Sequence, residues 1–158
     1  MNQSDPRRGS SPNAAGTGAG DGWRRRLGEL ALACAGSFAA EEAQRLHELR
    51  RLLAEAPVPA LLRGLAVPSE ERLDQLIAAD AAQSAALAML GPDCGYLLSR
   101  GAGGQHLASV ILPGATEEAS ASGDSFALAL VSALGLALIE AEPGPVDRRH
   151  PARASRLN

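Results

Sequence analysis

The stretch GDSFALALVSALGLALIE, residues 123–140, carries no charged side chain between Phe126 and Ile139. Gly123-Asp124-Ser125 is a helix-opening triplet, and Ser125 is suited to accept a hydrogen bond from the first turn. At helical spacing, Phe126, Leu130, Ala133, Leu134 and Ala137 share one face, and Leu128, Val131, Leu136 and Ile139 occupy much of the rest. A bilayer needs about 20 apolar residues, so this run is too short to span one. A helix that is apolar all round is buried all round. Leu134 and Leu138 are therefore expected in the core. A small sheet covers one side only. The other side needs the helices at 23–56 or a second copy of the chain, and the helix at 39–56, through Leu46, Leu49 and Leu53, is the cheaper cover in loop-closure entropy.

The segment before this helix reads as strands. Gly95 to Arg100 is followed by the turn Gly101-Ala102-Gly103-Gly104, and His106 to Leu112 ends at Pro113-Gly114. Thr116 to Ser122 alternates weakly and makes a short third strand. Upstream, Ser69 caps a helix with Glu70 and Glu71 in its first turn, continuing through Leu73, Leu76 and Ile77 to Leu90, where Gly91-Pro92 stops it. Residues 68–141 thus form an α-β-β-β-α domain.

Residues 23–67 read as a helical segment. Trp23, Leu27, Leu30, Cys34 and Phe38 recur on one face, and Gly36-Ser37 breaks the helix. A second helix runs from Ala39 to Ala56 with the stripe Leu46, Leu49, Leu53 and Ala56, and Pro57 and Pro59 end it. Leu61, Leu62 and Leu65 form an apolar link. Residues 1–22 are Ser, Gly, Pro, Asn and Ala without an apolar period and are expected to be a disordered tail. Residues 142–158, with Pro143, Pro145, Pro151 and four arginines, are expected to be a disordered basic tail. The fold class is α+β: a helical pair, then an α-β-β-β-α unit with a small antiparallel sheet.

Residues 73–141 resemble the double-stranded-RNA-binding domain. Tyr96 stands on the first strand, Gly103-Gly104-Gln105-His106 matches the family's Gly-x-x-His turn, Val110 lies on the second strand, and Gly123-Asp124-Ser125 opens a helix with Ala133, Ala137 and Leu138 at small and apolar positions. The resemblance implies the α-β-β-β-α fold and duplex-RNA binding through lysines just after the Gly-x-Ser turn. At those positions this chain has Phe126, Ala127 and Leu130, so RNA binding through that face is expected to be lost. The same three residues become a candidate partner surface. Gly123-Asp124-Ser125-Phe126-Ala127-Leu128-Ala129 is also similar to the last-helix start of small phage-type α-β-α sandwich domains, which implies a prophage origin and little chemistry.

The 158 residues include no lysine, and their formal net charge is −3. With 46% hydrophobic and 21% charged residues, the chain is not disordered as a whole. Residues 1–26 carry +3, residues 142–158 carry +2, and residues 69–141 hold Arg72 and Arg100 against nine carboxylates, a net −7. An acidic domain repels phosphates and basic ends attract them, so nucleic acid, if bound, is bound through the ends. Arg24, Arg25 and Arg26 beside Trp23 are the candidate contacts; three cations oppose a helix N-terminus, which places them before the helix proper. The same arginines, followed by Leu30-Ala31-Leu32-Ala33-Cys34-Ala35, imitate a secretion signal, but Glu29 interrupts it and the apolar stretch starts late, so a cytoplasmic location is expected.

Asp124, Ser125 and His106 are the residue types of a hydrolase triad, yet an adjacent Asp and Ser at a helix start are most simply a cap. Cys34, Cys94, His47 and His106 show no ligand-pair spacing, so no metal and no cofactor are expected. The sequence points to a non-enzymatic protein-binding or adaptor module, with a protein partner or a homodimer and no membrane. A nucleic-acid-binding protein using arginine-rich ends is the alternative, and a small hydrolase stands third.

Overall fold

The computed structural model describes residues 14–141. The tail expectations for residues 1–13 and 142–158 lie outside the described residues. The chain is α+β. Its helices are α1 (Ala14–Gly36), α2 (Glu42–Ala54), α3 (Glu70–Ala78), α4 (Ala82–Leu87) and α5 (Phe126–Glu140), with two short 3-10 turns at Ala39–Glu41 and Pro59–Leu62. The strands β1 (Gly95–Arg100), β2 (His106–Ile111) and β3 (Ala119–Gly123) form one antiparallel meander in the order β1-β2-β3.

Helix α5 is the middle layer. On one side it meets β2 and β3, whose inward residues Ala108, Val110 and Ala119 are buried. On the other it meets α1. Ser125 caps its start, its hydroxyl accepting from the Leu128 N–H at 3.2 Å. From Ala127 to Gly135 every residue is buried, as are Ala137 and Leu138. Leu134 and Leu138 are 1% and 0% exposed, as the apolar run requires.

Small residues set the approach of α1 to α5. A Cβ added at Gly135 would lie 3.4 Å from the Leu27 carbonyl oxygen and 3.7 Å from the Ala31 Cβ. The Ser132 hydroxyl donates to the Ala31 carbonyl at 3.0 Å across this buried contact. Gly28 faces Ile139, and the Arg24 guanidinium donates to the Ala141 carbonyl at 2.9 Å, so the two helices run antiparallel. Helix α2 folds back along α1, pinned by the buried Trp23 indole N–H donating to the Leu52 carbonyl at 2.7 Å.

The principal cover of α5 is therefore α1, not the helix at 39–56. The expected stripe Leu46, Leu49 and Leu53 is buried, and α2 also touches α5, but the widest helix–helix contact belongs to α1. This corrects the partner surface expected at Phe126, Ala127 and Leu130. At 100° per residue, Ser132, Gly135 and Ile139 lie on the α1 side, and Phe126 and Leu130 lie opposite, toward the sheet. Ala127 and Leu130 are each 1% exposed. Phe126 is half-buried with its ring 4.4 Å from that of His106 on β2, edge to face. The larger residues fill the sheet side because only Ser132 and Gly135 leave room for a second helix backbone.

Three other elements differ from expectation. Helix α1 begins at Ala14 rather than Trp23: once the anchored part is formed, each further residue adds one hydrogen bond, which carries the helix through Gly16, Gly18, Gly20 and Gly22. The third strand starts at Ala119 rather than Thr116. The single helix expected from Ser69 to Leu90 is two, α3 and α4. Asp80 takes φ +57°, its N–H donates to the Ile77 carbonyl, and the Ala81 N–H donates to the Leu76 carbonyl. These are the two bonds of a Schellman cap, with aspartate in the left-handed position glycine normally fills.

Three outcomes follow. Leu134→Ala should lower stability by about 2–5 kcal/mol in denaturant unfolding, because the removed methyl groups leave a cavity between fixed layers. Asp80→Gly should raise stability by about 0.5–1 kcal/mol, seen as a melting point higher by roughly 2–4 °C, because it relieves left-handed strain; Asp80→Val should lower it.

Candidate functional site

The residues singled out for chemistry do not converge. His106 Nδ1 donates to the main-chain carbonyl of Asp124 at 2.9 Å, not to its carboxylate. The Asp124 carboxylate instead accepts from the Ala39 N–H at 2.8 Å, and the Ser125 hydroxyl is the α5 cap. All three are used as helix and loop caps. Cys34 is fully buried in the α1 face, and burial pushes its thiol up to about 12. Cys94 donates to the Gly64 carbonyl at 3.0 Å, and burial raises its thiol too. His47 pairs with Asp74 at 3.2 Å, away from both cysteines in the α2–α3 contact. Among the described residues, no three His, Cys, Asp or Glu side chains are grouped to hold a metal ion.

Arg24, Arg25 and Arg26 lie inside α1, not before it. Successive helix residues point about 100° apart, so the three do not make one cationic surface. Arg24 is half-buried on the Ala141 carbonyl. Arg26 pairs with Glu55 at 2.6 Å, and the exposed Arg25 sits 3.8 Å from Glu29. A cleft between the Ala60–Arg63 turn and the Leu112–Glu117 loop is lined largely by small and apolar residues, with Arg63, Glu117 and Glu140 among them. None of the residues singled out for chemistry in the sequence lines it.

The sheet leaves one face uncovered. The register pairs Tyr96 with Val110 and Leu98 with Ala108, so these even positions share the inner face with α5. The outer face then holds Leu97 and Ser99 of β1, Leu107, Ser109 and Ile111 of β2, and Ser120 and Ser122 of β3. It carries no charge, in a domain whose net charge is −7. Ser109 and Ser120 join hydroxyls across it at 2.6 Å. Leu97 is 62% exposed and Leu107 38%.

Strand β1 is the open end of this surface. Helix α5 packs on β2 and β3, so β1 overhangs it. Tyr96 is 53% exposed although it points to the inner side. Tyr96, Leu97 and Leu98 thus present apolar side chains on both faces of a terminal strand. The signal was in the sequence: Gly95-Tyr96-Leu97-Leu98 has three apolar residues in a row where a one-sided strand would alternate.

Among the described residues, no helix is long and apolar enough to cross a membrane. Comparison with protein-family models, with curated proteins and with solved structures finds no significant match to this chain.

Proposed function

We propose that this chain is a non-enzymatic protein-binding module of the cytoplasm, and that its contact surface is the open β1 edge with the uncharged outer face of the sheet. One observation carries the reading: a terminal strand holds Tyr96 and Leu97 more than half exposed beside a charge-free face. Solvated surfaces of single chains rarely keep such a patch without a use. The free thiols of Cys34 and Cys94 suit a reducing compartment.

The order α-β-β-β-α and the Gly-x-x-His hairpin support a degenerate double-stranded-RNA-binding-domain-like unit at residues 73–141. In this reading the positions that would grip phosphate, Phe126, Ala127 and Leu130, serve the core instead. A net charge of −7 over residues 69–141 then removes the main term of nucleic-acid affinity. The likeness to phage-type α-β-α domains adds an origin and no further chemistry.

Two measurements test the proposal on the full chain. At about 150 mM salt the protein should give no gel shift with duplex RNA; a shift would favour the nucleic-acid alternative. A photo-crosslinking residue at position 97 should capture a protein adduct in cells, and the same residue at the exposed position 51 on α2 should not. Equal capture at both positions would overturn the assignment of the surface. Because Leu97 is exposed, the substitution itself should change stability by no more than about 0.5 kcal/mol.

A further inference from the structure

The first hairpin decides which main-chain groups β1 leaves free. The Gly101 N–H donates to the Gln105 carbonyl at 2.9 Å, and the Gly104 N–H donates to the Gly101 carbonyl at 3.0 Å. Gly104, at φ +84°, closes this three-residue loop in the left-handed region. In an antiparallel pair, residues alternate between bonding across it and facing away. Gly101 bonds to β2, so Ser99 and Leu97 do as well. Tyr96, Leu98 and Arg100 therefore turn their N–H and C=O groups to the open side. Strand β1 ends the sheet, and these groups take no backbone partner among the described residues. The edge has none of the usual guards: no proline, no lysine, no bulge, and Arg100 at its end as the strand's charge.

We propose that β1 pairs antiparallel with β1 of a second copy of this chain, joining two three-stranded sheets into one of six. The inference rests on the reading of the β1 edge as a protein-contact surface. A two-fold axis perpendicular to the sheet keeps inner faces on the same side, so facing residues share parity. The register centred on Leu97 satisfies every requirement at once. Tyr96 of each copy faces Leu98 of the other on the inner side, where both overhang α5, and these are the residues whose free N–H and C=O groups exchange bonds. Leu97 meets its own copy on the outer face.

The charges at the two ends of β1 match it to a second copy run antiparallel. Asp93 precedes β1 and Arg100 ends it. In this register Arg100 of each copy faces Cys94 of the other, one residue from Asp93, so antiparallel pairing brings the acidic entry of each strand to the basic end of the other, twice; parallel pairing would set Arg100 beside Arg100. Six residues of strand span about 20 Å, and pairing them buries less than the roughly 1,200 Å² of a stable interface. The dimer is accordingly weak and exchanging.

Sedimentation equilibrium of the full chain, from about 10 μM to 1 mM in about 150 mM salt, should show a monomer–dimer equilibrium. Leu98→Pro removes an N–H on the open side without touching the β1–β2 ladder. It should keep the circular dichroism of the parent, melt somewhat lower because Leu98 packs partly on the core, and weaken dimerisation at least about ten-fold, or about 1.4 kcal/mol. A second pair does not depend on that variant folding. With Cys94→Ser in place, Leu97→Cys should form a disulfide-linked dimer under mild oxidation, because facing Cα atoms in such a non-hydrogen-bonded pair lie about 4.5 Å apart. Leu107→Cys, on the same face but on β2, should not. A chain monomeric at 1 mM, a folded Leu98→Pro that dimerises like the parent, or equal crosslinking at 97 and 107 would each overturn the proposal. If the chain is monomeric but position 97 still captures another protein in cells, self-pairing fails and the protein-binding reading stands; if neither forms, both fail.

Discussion

An apolar helix with no polar side has to be enclosed from both directions, and the rest of the chain is arranged to do that for α5. The sheet supplies one wall and α1 the other, with α2 and α4 closing the flanks. Neither wall suffices alone. Removing α1 would expose the Ser132–Gly135 side of a helix that carries no charge from Phe126 to Ile139, so the α-β-β-β-α unit draws part of its cover from α1. The helical pair at the start of the chain and the sheet unit that follows share one hydrophobic core.

What holds the two halves together is close approach rather than bulk. Ser132 and Gly135 let the α1 backbone come near enough for a buried hydroxyl-to-carbonyl bond. Trp23 fixes the neighbouring α2 with its indole N–H. The chain has four aromatic residues, and two of them, Phe38 and Tyr96, stand largely in solvent. With little aromatic area to bury, alanine, glycine and leucine must reach density through short interhelical distances. That enclosure takes up the faces of α5, and the outer face of the sheet is left uncovered.

Much of this was legible in the residues. The 123–140 run announced a fully buried helix, and the glycine and proline punctuation around 95–114 placed two strands and their turn. The pattern of Trp23, Leu27, Leu30 and Cys34 gave the α1 stripe. What could not be read is which side of α5 faces which wall. Phe126 and Leu130 look like an outward face only if the small residues opposite them are assumed to meet the sheet, and tertiary packing chose the reverse. The break at Asp80 was hidden because the alanines around it favour helix and the left-handed cap uses aspartate, not glycine. The hydrogen-bond phase of β1, which determines its open edge, depends on the loop geometry at Gly101–Gln105, and no residue type encodes that directly.

The contact between Ala31 and Ser132 joins residues 101 positions apart in the chain. On a ribosome adding about 5–20 residues per second, α1 and α2 emerge roughly 5–20 s before the helix they are to cover. Through that interval Leu27, Leu30 and Cys34 have only α2 to shield them. The Trp23–Leu52 bond and the Arg26–Glu55 pair join α1 to α2 without any residue of α5, so the order of synthesis allows these two contacts to form before the rest of the core is made.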